Sequence, residues 1–314
     1  MRRPLALAAS LLTAAVALWS CGSDSEPDAA PPTTSTESGI QVTGEVGAKP
    51  ELEVPAGDPP AELVVDVLSE GDGSDVAAGD FLVADYLGQT WAASGDGAAN
   101  VFDNSYDRGS PAGFPIGEGS VITGWDEGLV GQKAGSRVLL VVPPDKAYGD
   151  TPPEGSPIEA DATLIFVVDI VDSYGDDAAI SGSPVPDLPA DLPTVTGDGG
   201  AEAPTVEFPA AATPVETSTT DVLVTGDGAD LGDSLVVKVL QASYATKETQ
   251  FSSWDEGAGP IVLTPDQLPG LGEALEGQKV GTRALVRITA ADNVSEQSPQ
   301  GEPIAIVVDI IGTA

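Results

Sequence analysis

The sequence predicts an α+β protein built from two copies of one domain, in which short strands predominate and a short helix signal lies in the first copy. Three observations support this prediction: an internal repeat, apolar or β-branched runs bounded by turn residues, and abundant Gly (37) and Pro (27). Turn formers at that frequency favour many short strands joined by turns. A hydrophobic content of 41% in 314 residues is sufficient for two packed cores.

The repeat is clearest where residues 131–137 read Gly-Gln-Lys-Ala-Gly-Ser-Arg and residues 277–283 read Gly-Gln-Lys-Val-Gly-Thr-Arg. A proline-flanked segment at 50–55 recurs at 204–209, and each copy ends in a run that contains Val-Val-Asp-Ile. The matches keep one order and similar gaps, which indicates two copies of one fold.

Secondary structure in the first copy follows from local pattern. Residues 81–86, 137–142 and 162–171 are apolar or β-branched and bounded by turn residues, so they are predicted strands. The helix signal begins at Thr123, the expected N-cap, and ends at Gly131, with two acidic residues between them in the first turn. Several strands with one short helix place the domain in the α+β class.

The N-terminus is expected to be a targeting segment. Two arginines precede an apolar run over residues 5–19 that is too short to span a bilayer, which is typical of a secretory signal peptide over residues 1–20. The run ends at Cys21, the chain's single cysteine. This pattern predicts an extracytoplasmic bacterial lipoprotein, anchored to the cell membrane by lipidated Cys21. An ordinary cleaved signal followed by a stray cysteine is the other interpretation.

Two polar segments are present, one between the targeting segment and the first copy and one between the two copies. Residues 21–48 hold scarcely an apolar side chain and are expected to form a disordered tether. Residues 175–203 have a similar composition and are expected to link two domains. The predicted domains are therefore residues 49–174 and residues 204–314.

Composition excludes several classes of function. A net charge of −38 with only 12 Lys and Arg residues argues against a nucleic-acid partner. The chain has no His and one Cys, so a His-assisted nucleophile and a Cys/His zinc site are both excluded. We expect neither a cofactor nor a metal ion.

Five separated segments of the first copy resemble the signature of FKBP-type peptidyl-prolyl isomerases. They read Val-Phe-Asp-Asn-Ser at 101–105, Phe-Pro-Ile-Gly at 114–117, Val-Ile-Thr-Gly-Trp-Asp-Glu-Gly-Leu at 121–129, Pro-Pro at 143–144 with Ala-Tyr-Gly at 147–149, and Ala-Thr-Leu-Ile-Phe at 162–166. The resemblance implies FKBP-like domains, each a twisted antiparallel sheet wrapped around one short helix with an aromatic pocket between them. It also implies isomerisation of proline-containing peptide segments and macrolide-type molecules as pocket ligands. With the expected signal peptide, the substrates would be segments of exported proteins.

The resemblance also assigns roles to residues. Trp125 would form the pocket floor, and Arg108 would be the cation beside Asp103. Ala112 stands where the family often has an aromatic residue; this departure, with Lys146 and the loop at 151–158, leaves peptide preference open. The family's catalytic positions fall on Tyr86, Phe102, Asp103, Trp125, Tyr148 and Phe166, and its substrate-binding positions on Phe114, Val121, Ile122 and Arg108.

The second copy retains apolar character but loses the polar groups of the pocket. We therefore expect its fold to persist and its catalysis to be weak or absent, with Trp254 either filling the site or lying at the surface. Two other functions stay open for the chain: a non-catalytic chaperone or peptide-binding lipoprotein, and a structural lipoprotein. Aligned on the repeat, Val239 replaces Tyr86, Phe251 matches Phe102, Ser252 replaces Asp103, Leu271 replaces Trp125, Val294 replaces Tyr148 and Ile306 replaces Phe166.

Overall fold

Apolar runs bounded by turns become antiparallel strands in the computed structural model, which describes residues 33–92, 100–255, 257–294 and 301–314. The predicted signal peptide and Cys21 lie outside the described residues. Within those ranges, no helix is long and apolar enough to cross a membrane.

The first half of the described chain contains two sheets. A small one, here called the strap, has the order β1-β2-β3, and the larger first sheet has the order β4-β8-β9-β5-β6 with β7 also paired to β5. One helix, α1 (Thr123–Leu129), packs on the inner face of the first sheet. The strands are β1 (Thr33–Ser35), β2 (Gln41–Thr43), β3 (Glu51–Glu53), β4 (Val64–Ser69), β5 (Phe81–Thr90), β6 (Val101–Asn104), β7 (Ala112–Pro115), β8 (Arg137–Val142) and β9 (Leu164–Tyr174).

The predicted tether is wrong for residues 33–48. Ile40 and Val42 are fully or almost fully buried, and they pack on Leu139, Val141 and other apolar residues of the sheet's outer face. The segment has few apolar residues, but they sit where alternation in β2 directs them onto an otherwise uncovered sheet face. Burying each such side chain stabilises the fold by about 1.5–3 kcal/mol.

The start of α1 also differs from the prediction. Ile122, in an extended conformation, is the N-cap, and Thr123 is already the first helical residue with no side-chain cap bond. The end agrees with the prediction, since Gly131 has φ +85° and lies one residue beyond the C-cap Val130. That backbone conformation is one that glycine adopts without strain.

The second half repeats the strand order of the first. Its main sheet has the order β10-β13-β17-β18-β14-β15 with β16 also paired to β14, so β13 to β18 follow the same path as β4 to β9. A separate hairpin pairs β11 with β12, and the short helix α2 (Leu271–Ala274) occupies the position of α1 in the order of elements. The strands are β10 (Gly182–Pro184), β11 (Thr194–Thr196), β12 (Thr205–Glu207), β13 (Thr219–Gly226), β14 (Leu235–Ser243), β15 (Thr249–Ser252), β16 (Ile261–Leu263), β17 (Arg283–Ile288) and β18 (Ile304–Thr313).

The predicted linker is structured over much of its length. β10 extends the second sheet, β11 pairs with β12, and Leu192 is buried in a cluster with Leu223 and Leu285. The sequence Val-Thr-Gly at 42–44 recurs at 195–197, so the strap is part of the repeat. The second half therefore begins well before the predicted boundary at residue 204.

The two halves meet through the outer faces of their sheets. Phe81 and Val83 of β5 pack against Val236 of β14 and Ile311 of β18 in one buried cluster. Ser110 and Ser234 add a hydrogen bond of 3.2 Å between their hydroxyls. The inner face of the first sheet, with α1, is left on the opposite side from this contact.

Replacing Ile40 with alanine is expected to lower the free energy of unfolding by about 2–5 kcal/mol, because the side chain is fully buried under the strap. Urea unfolding followed by circular dichroism measures it. Val46→Ala in the same segment is the matched control, since Val46 is 43% exposed, and it should change the value by less than about 0.5 kcal/mol. Equal, small effects of both substitutions would show that residues 33–48 do not cover the sheet.

Candidate functional site

A cavity of about 440 Å³ opens between α1 and the inner face of the first sheet. Nine of the ten predicted pocket residues line it, and Arg108 contacts it through Asp103. A second cavity of similar volume beside Trp91 has a more polar lining and contains none of the predicted residues. The first cavity is lined by Tyr86, Phe102, Asp103, Phe114, Ser120, Val121, Ile122, Trp125, Tyr148, Pro153, Ser156, Ile158 and Phe166.

Trp125 is the centre of the aromatic lining. It lies on α1 and is only 4% exposed, and its ring stands edge-on to those of Tyr86, Phe114 and Phe166 at centroid separations of 5.5, 5.0 and 5.3 Å. Such edge-to-face contacts fix ring orientation and contribute about 0.5–1.5 kcal/mol each beyond burial. The floor of the cavity is therefore rigid and apolar.

Gly88 allows the Phe102 ring to meet that of Phe166. Phe102 on β6 and Phe166 on β9 pack edge-to-face at 5.6 Å across β5. A Cβ at Gly88 would lie 2.7 Å from the Phe102 ring and 2.9 Å from the Phe166 ring. Any larger residue at this position would push the two rings apart, so the glycine is required by the close approach.

A charged network closes one side of the cavity. The Tyr86 hydroxyl donates to the Asp103 carboxylate and accepts a hydrogen bond of 3.0 Å from Arg108, which also forms an ion pair with Asp103. Burial and the neighbouring Asp103 raise the pKa of Tyr86 to about 12, so the phenol stays protonated at neutral pH. Asp103 thus presents a fixed carboxylate at the cavity wall with Tyr86 and Arg108 as its partners.

Ser105 positions this network from behind. It is fully buried, and its hydroxyl accepts from the Tyr86 amide at 2.9 Å and donates to Asp85 at 2.6 Å. The bond ties the end of β6 to β5 just beside Asp103. Sequence reasoning did not assign Ser105 a role, although it is part of the Val-Phe-Asp-Asn-Ser motif.

The segment before α1 is held by a side chain of the helix. Asp126 accepts hydrogen bonds from the amides of Gly117 and Gly119 at 2.6 and 2.8 Å. These bonds shape the loop that carries Val121 and Ile122 to the mouth of the cavity. The sequence predicts Asp126 only as an acidic residue of the first helical turn. The signal for its loop-binding role is the pair of glycines, Gly117 and Gly119, that precedes the helix.

Several hydrogen-bond donors at the cavity have no acceptor within the described ranges. They include the buried indole N–H of Trp125, the hydroxyls of Ser156 and Tyr148, and the Ile122 amide, whose own carbonyl is used by the helix. A buried donor without a partner costs about 1–3 kcal/mol. A bound group with carbonyl oxygens would remove part of that cost, so the cavity suits a peptide backbone.

The second half carries different side chains at the positions that correspond to the cavity lining. Val239 pairs with Val308 in the second sheet, as Tyr86 pairs with Val168 in the first, so Val239 occupies the position of Tyr86. The same pairing confirms that Ile306 occupies the position of Phe166. Leu271 on α2 is fully buried, as Trp125 nearly is. The described residues at these positions are aliphatic and supply neither a hydroxyl nor a carboxylate.

The alignment of Phe251 and Ser252 is wrong by one residue. Ser253 accepts from the Val239 amide and donates its own amide to the Val239 carbonyl, as Ser105 does with Tyr86. Ser252 therefore corresponds to Asn104, and Phe251 corresponds to Asp103. Phe251 is 44% exposed on β15.

Trp254 corresponds to Tyr106, because it follows Ser253 as Tyr106 follows Ser105. It neither fills the core site nor lies free on the surface. Its indole N–H donates to the Gly200 carbonyl at 2.8 Å, and the Lys238 ammonium lies 5.8 Å from its ring. Trp254 thus ties the end of β15 to the turn of the β11–β12 hairpin, beside Lys238 of β14.

The part of the chain that contains this cavity is similar to known proteins. A family model described as FKBP-type peptidyl-prolyl cis-trans isomerase matches residues 73–171. An FK506-binding protein of Streptomyces anulatus is 42% identical over 123 residues, which are 39% of this chain and 95% of that protein. A probable FK506-binding protein of Corynebacterium glutamicum is 36% identical over 125 residues, covering 39% of this chain and 97% of that protein.

A solved structure of FkpA from Escherichia coli is 38% identical over the aligned part, with a TM-score of 0.31, and the match covers 36% of this chain and 48% of that one. The two bacterial relatives are covered almost end to end, and the family match spans the segments that build the aromatic cavity. The chain belongs to the FKBP-type peptidyl-prolyl cis-trans isomerases.

Proposed function

We propose that the aromatic cavity of the first sheet is the isomerase active site. The observation that carries this proposal is the convergence of Tyr86, Phe114, Trp125 and Phe166 around one cavity whose wall holds the Asp103 carboxylate. The catalytic residues are Tyr86, Phe102, Asp103, Trp125, Tyr148 and Phe166, and the substrate-binding residues are Phe114, Val121, Ile122 and Arg108.

The chemistry needs no nucleophile. Rotation about an X-Pro bond meets a barrier of about 18–20 kcal/mol because amide resonance is lost at the twisted geometry. The planar amide is the more polar form, so an apolar pocket disfavours it relative to the twisted one. Hydrogen bonds from the Ile122 amide and the Tyr148 hydroxyl hold the peptide on either side of the rotating bond.

Tyr148→Phe in the full chain is expected to lower kcat/KM for an X-Pro peptide by up to about tenfold, because one neutral hydrogen bond contributes about 0.5–1.5 kcal/mol. A protease-coupled or NMR exchange assay measures the rate. Tyr244→Phe is the matched control, since its hydroxyl is buried in the second half and has no hydrogen-bond partner among the described residues. An unchanged rate in Tyr148→Phe would remove the hydroxyl from the mechanism, and no activity in the wild type would remove the proposed site.

We propose that the chain holds two FKBP-like domains and that the second, within residues 176–314, is not catalytic. Its strand order supports the shared fold, and the aliphatic residues Val239, Leu271 and Ile306 at the pocket positions support the lost activity. Contact between the two outer sheet faces supports a role as a packing partner of the first domain.

We further propose that this isomerase acts on exported proteins from the outer side of the cell membrane. The support is the basic, then apolar, N-terminal sequence that ends at Cys21. Its partners are proline-containing segments of exported chains, and the names of the two bacterial relatives support a macrolide-type ligand for the same cavity.

Metabolic labelling with a fatty acid is expected to mark the wild-type chain and not Cys21→Ser. The physical reason is that Cys21 is the only thiol in the chain that an acyl-bearing group can modify. Membrane fractionation should show the same difference, because stable anchoring requires more than one acyl chain. Equal labelling of both chains would contradict lipidation at Cys21, whatever the isomerase assay gives.

A further inference from the structure

The loops around the active-site cavity carry a large excess of negative charge. Segments 101–108, 118–127 and 145–159 supply ten of the thirteen residues that line the cavity. Together they contain nine carboxylates and two cations. The chain is acidic throughout, so the charge that a substrate meets at the cavity depends on how many of these carboxylates are paired with cations.

These three segments form the rim of the cavity, and both of their cations are paired with acids. Arg108 forms an ion pair with Asp103, and the Lys146 ammonium lies 2.5 Å from the Glu127 carboxylate. Two further acids are also engaged, Asp107 with Lys49 and Asp126 with loop amides. The remaining five are exposed and form no ion pair within the described residues: Glu118, Asp145, Asp150, Glu154 and Glu159.

Three of these free acids adjoin lining residues in one loop. Asp150 comes two residues after Tyr148, Glu154 lies between Pro153 and Ser156, and Glu159 follows Ile158. A peptide whose proline occupies the cavity must pass its flanking residues over this loop or the loop at 118–120. The free carboxylates are therefore placed to contact or steer the flanks of the substrate.

An independent observation shows that the cavity is built for a polar chain. The Trp125 indole N–H and the Ser156 hydroxyl line it, are buried, and have no hydrogen-bond partner in the described ranges. Buried donors of this kind are satisfied by carbonyl oxygens. A bound peptide would therefore place its backbone inside the cavity and the side chains that flank its proline at the rim.

We propose that the active site selects proline-containing segments flanked by Lys or Arg and discriminates against segments flanked by Asp or Glu. This proposal rests on the proposed active site. The free carboxylates at 150, 154 and 159 raise the local concentration of cationic peptides and repel anionic ones. The effect lies in kcat/KM, and it weakens with salt because the carboxylates are exposed to solvent.

The experiment uses the full chain and three peptides that share one Leu-Pro centre and carry Lys, Gln or Glu on both flanks. We expect kcat/KM for the Lys peptide to exceed that for the Glu peptide by about tenfold at low ionic strength, the lower end of electrostatic steering effects. The ratio should fall to about two or less near 1 M salt, where the Debye length is about 3 Å.

The test variant is Asp150→Asn/Glu154→Gln/Glu159→Gln, which should lower the ratio at least threefold and leave the rate on the Gln peptide unchanged. Its matched control is Glu248→Gln/Glu273→Gln/Glu276→Gln, which removes the same charge from exposed positions of the second half. The control should keep the wild-type ratio.

Two results would overturn the proposal. One is a wild-type ratio near one at low salt while the Gln peptide is turned over, which leaves the active site intact and removes the charge preference. The other is an equal drop in both triple variants, which would assign the preference to the net charge of −38. Failure of the active site itself would appear separately, as no turnover of the Gln peptide.

Discussion

Trp125→Ala is expected to abolish isomerase activity and to lower the free energy of unfolding by about 3–5 kcal/mol, because a nearly fully buried ring is replaced by a methyl group. Three rings rest against Trp125, and they lose their edge-to-face partner together. Loss of the indole removes the floor of the cavity and leaves a void in the core between α1 and the sheet. Activity and urea unfolding, measured on the same preparation, check both parts.

Trp125→Leu separates the catalytic effect from the stability effect. It introduces the residue that the second half carries at Leu271, so the helix retains an apolar contact with the sheet. We expect the loss of stability to be smaller than in Trp125→Ala, while kcat/KM still falls at least tenfold because the flat floor under the proline is gone. Near-normal activity in Trp125→Leu would show that the indole is only core.

Leu271→Ala provides the matched control in the other half. Leu271 is fully buried at the corresponding place on α2, so its loss should cost about 2–5 kcal/mol. Isomerase activity of the folded variant should remain at the wild-type level, since the second half lacks the aromatic lining. A parallel fall in activity would place part of the catalytic machinery in the second half.

The cavity could be predicted from the sequence because its residues lie in short, specific motifs. Phe102 and Asp103 share one motif, Trp125 another, and Tyr148 a third, and the strand order brings these segments to one side of the sheet. The family resemblance implied Arg108 as the cation beside Asp103, but it did not imply the support that Ser105 gives from behind. The bonds of Ser105 to Tyr86 and Asp85 depend on how the end of β6 meets β5, which the motif alone does not specify.

The one-residue slip at Phe251 arises from the connection between the two strands. β5 and β14 shift register at equivalent places, between Gly88 and Gln89 and between Gln241 and Ala242, so both copies share this irregularity. The connection is shorter in the second half, because Ser105 follows Tyr86 by 19 residues whereas Ser253 follows Val239 by 14. Sequence alignment must place this gap without knowing the strand pairing, and matching Phe251 to Phe102 misplaces it by one residue.

The strap was missed for a different reason. Its few apolar residues are too sparse to predict an independent element, and they become buried only because the first sheet leaves an apolar outer face. Ile40 and Val42 supply contacts that Leu139 and Val141 lack otherwise. The signal that was available is the recurrence of Val-Thr-Gly at residue 42 and residue 195, which makes both polar segments part of the repeat.

The strap also completes a buried ion pair, which is the basis of the second large prediction. Arg137 and Asp169 are each 2% exposed, and Asp169 accepts from the Arg137 Nε and Nη2 at 2.6 Å, from the Gly47 amide at 2.6 Å and from the Tyr106 hydroxyl at 2.9 Å. Arg137 donates in turn to the Gly44 carbonyl of the strap at 2.9 Å. Charge and hydrogen bonds are satisfied only when the strap is in place.

Asp169→Ala is expected to lower the free energy of unfolding by about 3–5 kcal/mol, because it leaves the Arg137 guanidinium buried without a counter-charge. The strap should loosen in the same variant, since the Gly47 amide loses its acceptor. Urea unfolding measures the stability, and hydrogen exchange of the strap amides measures the loosening. A loss below about 1 kcal/mol would show that water compensates Arg137 and that the pair is not a structural centre.

The repeat offers a built-in control for this result. Arg283 and Asp309 form the same buried pair in the second half, with 2.6 Å between Nε and Oδ1, and Arg283 donates to the Gly197 carbonyl of the second Val-Thr-Gly segment. Asp309→Ala should therefore destabilise the protein by a similar amount. Replacing both members of the first pair with apolar residues, as in Arg137→Met/Asp169→Leu, should restore much of the lost stability, because an apolar pair leaves no buried charge. If the double variant is as unstable as Asp169→Ala, the loss comes from the detached strap and not from the unpaired guanidinium.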